Sequence, residues 1–417
     1  MLARIFGKYQ QNEARRRSGN TGKIREVCSL PVPPANLREI TASRGFQMTS
    51  YYPEDAESAD PLIGSNLKDG WTIIKRIARN AKQTGGAFSY GYLARRGSEE
   101  AYLKAFDFER VFQADEPMKE LEKAVKSFNF EVEVLDLCAR SNMRRIVRAM
   151  SHGVVNMENV PFGKLYYLLF ELAEADARQH VVNDNAGKDK PNVVWSMRSL
   201  HQIAAALQQL HARGIFHQDL KPSNILVFND RKESKLGDLG RAHCTTMEAP
   251  HDHAKLPGAW RYAAPELLYT APLPDRTAQR AASDLYLFGS MIFFFVRHVP
   301  LTPELMSAMR PEHRIPLFGG SNMGVYFGDI LPFLTDAHDR VLAQFRSRLT
   351  EILSGDEQTA DKVADLLKYA TEPNPTLRGH PSARRYMSGN PYDLQRFVSG
   401  FNVIAATLER QVTRSNA

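Results

Sequence analysis

What most narrows the fold of this chain is a change of hydrophobic period near residue 172. Ahead of it, residues 66–172 carry short apolar runs separated by turn residues. Trp71–Ile77 alternates imperfectly after Gly70, a turn with Gly85 and Gly86 follows, and further runs fall near Tyr92 and over Ala101–Phe106. Runs of this length and period predict strands, with two more over Ile146–Met150 and Leu165–Phe170. One helix is expected among them, roughly Met118–Cys138. Beyond residue 172 the spacing turns helical, over Val194–Ala212, Ala281–Val296, Asp336–Leu353, Ala360–Ala370 and Asp393 to about Val412. Ala281–Val296 is apolar nearly all round and is expected at the centre of its unit. The hydrophilic stretch Asn183–Pro191 is expected as a surface loop. The class is therefore α+β, with a small β-rich lobe (residues 66–172) ahead of a larger helical lobe (residues 173–417). Their junction is a natural place for a ligand cleft. Residues 1–65 hold a Pro31–Pro34 turn cluster and an acidic patch (Glu54, Asp55, Glu57, Asp60), and are expected to be an extension and linker.

A chain of 417 residues, 43% hydrophobic, can bury a large core. Its net charge of +7 sits mostly at one end: residues 1–50 hold nine Lys/Arg and three Asp/Glu. A solvated basic arm on a nearly neutral body is expected, with docking of that arm on an anionic partner as the alternative reading. Nucleic acid is not expected as a ligand of the body. Cys28, Cys138 and Cys244 are odd in number and fit neither a disulfide framework nor a zinc site, so a reducing cytoplasm is expected. The N-terminal MLARIF is too short and charged for a secretory signal, and the longest apolar run, Leu285–Val296, is too short to span a bilayer.

The densest group of reactive side chains lies in Ile215-Phe-His-Gln-Asp-Leu-Lys-Pro-Ser-Asn-Ile-Leu-Val227. Read alone, it could be a polar turn between a helix and a short strand. Fourteen residues after Asn224 comes Asp238, in Lys235-Leu-Gly-Asp-Leu-Gly-Arg241; a carboxylate suits a hard divalent cation. Upstream, Lys104 is flanked by apolar residues in Ala101–Phe106, and a lysine in such a strand needs a partner. Glu131 and Glu133 on the following helix are the candidates. Glu131 is preferred, because Val134 and Leu135 then fall at i+3 and i+4 on the core side.

In order and spacing these elements resemble those of the eukaryotic-type serine/threonine protein kinases, over about residues 68–385. The resemblance implies a bilobal protein-kinase-like fold with a nucleotide cleft between an N-lobe and a C-lobe. It also implies ATP with Mg²⁺ and a protein substrate. Asp219 would accept the hydroxyl proton, Lys221 would offset charge on the moving phosphoryl group, and Asn224 and Asp238 would bind the metal. Asp238 stands in the segment that resembles the DFG element, with Leu239 in place of phenylalanine. Lys104 would contact the α/β-phosphates, paired with Glu131. Thr84–Tyr92 aligns with the phosphate-covering loop, but only Gly86 occupies a motif glycine. Gly91 falls where a valine usually packs on adenine. Lys164–Ala173 looks like the strand entering the hinge, with backbone groups of Glu171 and Leu172 or Ala173 at the adenine edge and Phe170 behind it. Three further segments resemble structural elements: Gly258–Glu266, which ends in the APE element, Ser283–Gly289 with Asp284, and Pro373–Arg378. They imply a Glu266–Arg378 pair across 112 residues of sequence.

Several positions refine this reading. Lys221 favours serine and threonine over tyrosine as acceptor, and protein over small-molecule substrates. Ala259 replaces the threonine that commonly braces the Asp219–Lys221 pair. Gln218 replaces an arginine that normally neutralises a phosphate on the activation segment, so activity is expected not to depend on phosphate at Thr245 or Thr246. His243, Cys244, His251 and His253 cluster without the spacing of a standard zinc site. Two other functions fit parts of the sequence. The depleted glycine loop suits a nucleotide-binding pseudokinase scaffold, and the fold also serves small-molecule phosphotransferases.

Overall fold

The computed structural model describes residues 60–77, 89–106, 111, 114–157, 160, 163–185, 192–269, 276–321, 326–385 and 389–415. The basic arm, Cys28 and the expected phosphate loop from Thr84 through Gly86 to Phe88 lie outside the described residues.

The first lobe is an antiparallel sheet of five strands: β1 (Thr72–Arg76), β2 (Ser89–Arg96), β3 (Glu99–Phe106), β4 (Ala149–Asn156) and β5 (Lys164–Glu171), in the order β1-β2-β3-β5-β4. β3 is central and alternates as a two-sided strand must. Ala101, Leu103 and Ala105 are buried on the outer side, in a cluster with Trp71, Ile73 and Tyr167. Tyr102, Lys104 and Phe106 point the other way, toward helix α1 (Pro117–Arg140) and the second lobe. On α1 the residues Phe128, Glu131, Leu135 and Cys138 recur at helical spacing and are all buried, so a single acidic side chain is carried on the core face. Phe128 meets Phe106 and Tyr166 edge to face, at 5.1 and 5.4 Å between ring centroids, which fixes the helix against the sheet.

Two boundaries differ from expectation. The lobe begins at or before Asp60, six residues ahead of Asn66. The Gly64 and Ile73 amides donate to the Ile73 and Ser65 carbonyls, Leu62 and Leu67 are buried, and the Tyr92 hydroxyl donates to Asp60 at 2.9 Å. The strand expected over Ile146–Met150 starts instead at Ala149. Ile146 and Val147 are apolar because they are buried where the lobes meet: the Val147 amide donates to the Leu236 carbonyl of the second lobe.

The second lobe opens with β6 (Ala175–Asp176), α2 (Ala177–Asn185) and α3 (Val193–His211). The expected loop from Asn183 is helical through Asn185, and its residues 186–191 lie outside the described set. Asn192 caps α3 by accepting from the Trp195 amide at 3.1 Å. Next come β7 (Ile215–Phe216), β8 (Ile225–Phe228), β9 (Glu233–Leu236), β10 (His243–Cys244) and the short α4 (Pro265–Leu268). The helices α5 (Arg276–Arg297), α6 (Leu301–Ala308), α7 (Phe327–Ile352), α8 (Glu357–Thr371) and α9 (Gln395–Ser415) complete it. Every residue of α5 from Ala281 to Val296 is buried, as its all-round apolar pattern implies. Phe288, Phe293 and Phe295 each contribute about 1.5–3 kcal/mol by burial. α7 starts at Phe327 rather than Asp336 and runs through Pro332, which cannot donate its backbone bond there. α9 packs along α3, where Arg198 grips Glu409 with two 2.7 Å contacts. No single helix among the described residues is long and apolar enough to cross a membrane.

Candidate active site

Between β7 and β8 the chain makes a loop whose polar side chains are nearly all inside the protein. His217, Gln218, Asp219, Lys221 and Asn224 are each at most 5% exposed. Buried polar groups need partners, and the loop's main anchor is a single carboxylate from α5. Asp284 accepts from the His217 amide (2.7 Å), the Gln218 amide (2.8 Å) and the Gln218 side chain (2.9 Å), with His211 Nε2 at 2.9 Å. Burial opposes its charge, but these donors outweigh that and hold its pKa below the usual carboxylate range. The anchored turn sets Gln218 at φ 61°, a left-handed conformation that costs about 1–3 kcal/mol in a residue with a side chain.

On this support Asp219 is held from both sides. Its Oδ2 lies 2.6 Å from Lys221 Nζ, and its Oδ1 accepts from the Ala259 amide at 2.8 Å. The backbone of residue 259 thus braces the aspartate without a threonine hydroxyl. The close approach needs glycine beforehand, because a Cβ on Gly258 would stand 2.3 Å from the Gln218 carbonyl oxygen. Asn224 Nδ2 donates to the Asp219 carbonyl at 2.9 Å, and the Gly237 amide donates to the Asn224 carbonyl at 2.9 Å. The loop is thereby tied to the Asp238 turn.

Lys104 reaches across from β3 to that turn. Its Nζ lies 2.8 and 2.9 Å from the two oxygens of Glu131 and 3.1 Å from Asp238 Oδ1. Glu133 faces solvent, so the partner is Glu131. Burial works against the Lys104 ammonium, but Asp238 and then Glu131 outweigh it and its pKa is raised. Lys104 in turn holds the Asp238 carboxyl down to about 2. Burial pushes the Glu131 carboxyl up, with Lys104 opposing. That direction conflicts with the charged state favoured at Lys104, and the two short contacts to an ammonium favour an ionised pair. Asp238 itself has φ 59°, and a Cβ on Gly240 would lie 3.0 Å from Glu131, so the turn uses glycine to approach α1. Leu239 is fully buried in the same core as Leu135.

Four of these groups line one cleft of about 440 Å³ between the lobes, while Asp219 and Lys221 are not among its lining residues. Lys104, Glu131, Asn224 and Asp238 border it, as do Phe170, Glu171, Leu172 and Ala173 where β5 leaves the sheet. The Glu171 side chain is bound to Lys235 Nζ (2.8 and 2.9 Å) and the Arg148 amide (2.8 Å), which fixes the strand exit. Asp176 and Tyr102 also line the cleft and were not singled out from sequence. Asp176 caps α2 by accepting from the Gln179 amide at 2.8 Å, and burial pushes its carboxyl up. The Asp-x-x-Gln spacing was a readable capping signal. Tyr102 stands two residues before Lys104 and so shares its face of the strand, which the period of two already implied.

The segment from Asp238 to Glu266 is fastened without any modification. Gln218 Nε2 donates to the Arg280 carbonyl at 2.9 Å, its Oε1 accepts from Arg280 Nη1 at 3.2 Å, and Arg280 Nη2 donates to the Asp252 carbonyl at 3.0 Å. The Asp252 carboxylate lies 2.5 Å from His243 Nδ1 and accepts from the Ala249 amide at 2.9 Å. His251 sits beside Arg241 at 3.0 Å; burial and then that cation lower its pKa to about 4. A buried arginine from α5 therefore ties the loop to the segment, while Thr245 and Thr246 stay exposed. The double variant Thr245→Ala/Thr246→Ala is expected to keep most of its phosphotransfer, measured beside phosphatase-treated protein. Loss of most activity in either sample would mean that a phosphate is required after all.

A family model described as the protein kinase domain matches residues 95–379, more than half of the chain. Among curated proteins, the chain is 30% identical to a probable cyclin-dependent kinase 8 of Dictyostelium discoideum over 46% of this chain and 52% of that protein. It is 30% identical to a serine/threonine-protein kinase SBK1 of Danio rerio over 34% of this chain and 35% of that protein. A putative mitogen-activated protein kinase kinase kinase 7-like of Drosophila melanogaster is likewise 30% identical, over 47% of this chain and 50% of that protein. The chain thus spans about half or less of the length of these relatives.

Proposed function

The chain belongs to the protein kinase family, and from that membership we propose that it is a serine/threonine protein kinase, moving the γ-phosphoryl group of ATP to a protein hydroxyl. The observation that carries the reading is the Lys104 ammonium held between Glu131 and Asp238 in the cleft that Asn224 also lines. A scaffold that only bound nucleotide would not need all of these groups in register with Asp219.

Each group has a part in the transfer. Lys104 offers a positive charge to the phosphates, oriented by Glu131. Asp238, kept ionised by Lys104, and the side-chain oxygen of Asn224 are hard oxygen donors that fit Mg²⁺, because the Asn224 amide nitrogen is already committed to the Asp219 carbonyl. When bound there, Mg²⁺ supplies charge neutralisation on the phosphates. Asp219 takes the proton of the acceptor hydroxyl as its oxygen attacks phosphorus and the bond to the β-phosphate oxygen breaks. Lys221, 2.6 Å from Asp219, steadies that carboxylate and offsets negative charge on the transferred group. The unpaired, buried thiols of Cys138 and Cys244 suit a reducing compartment, and we place the activity in the cytoplasm.

The test is incubation of the full chain with γ-labelled ATP, Mg²⁺ and a generic basic protein, beside Asp238→Ala. Label on serine or threonine that vanishes in the variant is the expected result. ATP consumption driven by a metabolite, with no labelled protein, would turn the reading toward a small-molecule phosphotransferase. Nucleotide binding without any turnover would turn it toward a scaffold.

A further inference from the structure

The surface beside Asp219 carries more positive charge than the proposed transfer uses. The Ala259 amide holds Asp219 Oδ1, so the residues that follow it, Trp260, Arg261 and Tyr262, stand close to that carboxylate. They make a tight turn: the Tyr262 amide donates to the Ala259 carbonyl at 3.0 Å and the Ala263 amide to the Trp260 carbonyl at 3.2 Å. Arg261 is exposed on this turn, two residues after Ala259 and so at most about 8 Å from it between Cα atoms. Its guanidinium carbon lies 5.4 Å from the centre of the Trp260 ring, and that ring meets Phe318 edge to face at 5.1 Å. Such a shelf pre-organises the cation and leaves its N–H groups for another partner. A second arginine comes from α2. Arg178 is half-buried and precedes Gln179, which lines the cleft, as does Ser223 from the Asp219 loop. The Tyr262 hydroxyl lies in the field of all three charges: burial pushes it up to about 12, Arg178 and Arg261 oppose, and Asp219 reinforces. Among the described residues neither guanidinium has a carboxylate within 4.0 Å. Glu174 is engaged with the Asp230 amide at 2.8 Å, and Asp176 is spent on capping α2, with burial pushing it toward its neutral form. Lys221 answers Asp219, so the charge of both arginines is surplus.

Resting on the reading that Asp219 serves a protein hydroxyl, we propose that Arg178 and Arg261 form an anion-reading pair that selects acceptor segments with a negatively charged side chain, carboxylate or phosphate, within one or two residues of the serine or threonine. An extended segment advances about 3.3–3.6 Å per residue, so a flanking side chain comes within reach of Arg261 when the acceptor hydroxyl meets Asp219. A guanidinium suits both anions, because its parallel N–H donors match two oxygens of either. A lysine or arginine beside the acceptor would meet two like charges instead, which discriminates against basic segments.

The test is steady-state transfer by the full chain to short serine peptides that differ only beside the acceptor, with alanine, aspartate, phosphoserine or lysine directly before it or directly after it. Wild type should favour aspartate over alanine about tenfold in kcat/KM, mostly through KM, with lysine the poorest, and added salt should shrink the gap. Arg178→Gln and Arg261→Gln should each lower this preference, and their combination should abolish it. Arg261→Glu should turn it toward lysine, which the loss of a merely structural arginine would not do. Arg261→Lys should keep most of it, and serves if the charge-reversed variant does not fold. Phosphoserine preferred over aspartate would assign an acceptor segment that is phosphorylated beforehand; aspartate at least as good would assign an acidic one. Wild-type indifference to the flanking charge, or a preference that survives in the double variant, overturns the proposal. A chain that labels alanine- and aspartate-flanked peptides alike sinks only this inference; one that labels neither the peptides nor a basic protein sinks the kinase reading with it.

Discussion

Asp219→Asn should lower kcat about 10²–10⁴-fold, the range lost when a positioned general base is removed, while leaving the affinity for Mg-ATP unchanged. The substitution is nearly isosteric. Its amide oxygen can still accept from the Ala259 amide, and the loop stays anchored on Asp284, so the backbone has no reason to move. What is lost is the proposed acceptor of the hydroxyl proton and the charge that pairs with Lys221 at 2.6 Å. Asp238→Asn gives a useful contrast. It removes a carboxylate that would hold the proposed metal and a partner from Lys104, so it should reduce both turnover and Mg²⁺-dependent nucleotide affinity. Steady-state transfer and calorimetric titration of both variants check the split. If Asp219→Asn retained wild-type turnover, the base would have to be another group; if it lost nucleotide binding, Asp219 would be holding the cleft open rather than moving a proton.

Much of this site was legible in the sequence because its members are polar residues in apolar surroundings. Lys104 in an apolar strand demanded an anion, and helical spacing pointed to Glu131 over Glu133. Asp219, Lys221 and Asn224 stand at fixed offsets within one loop. Long helices were legible for a different reason: their apolar faces repeat over several turns, and the fully buried stretch of α5 had no polar side to hide. What escaped depended on partners distant in sequence. Tyr102 reads as a plain β-former until Gly91 is seen diagonally across the ladder from it, and neither residue signals the other. Arg280 sits on an apolar helix with nothing local to say that Gln218 and the Asp252 carbonyl would surround its guanidinium. Strand limits failed for a related reason. Ile146 and Val147 are as apolar as strand residues, yet they are apolar because two lobes meet on them.

The largest expected effect on stability lies far from the cleft, at Glu266 and Arg378. Both side chains are 0% exposed, and they pair through two contacts of 2.6 and 2.9 Å. Arg378 also donates to the Ala282 carbonyl at 2.9 Å and the Glu372 carbonyl at 3.0 Å, and its guanidinium carbon lies 5.1 Å from the centre of the Tyr286 ring. Removing one partner strands the other charge in the core, which typically costs about 3–5 kcal/mol. Arg378→Met and Glu266→Leu should each therefore melt several degrees below wild type. Combining them should restore part of the loss, since two apolar residues of similar volume leave no unpaired charge. The consequence for catalysis is indirect. Glu266 closes the segment whose Gly258 and Ala259 rest on Asp219, so each single variant should lose turnover at temperatures where it is still folded. Thermal unfolding and transfer assays on the two singles and the double decide it. A double variant no more stable than the worse single would show that Arg378 acts through the Ala282 and Glu372 carbonyls, with Glu266 only neutralising it.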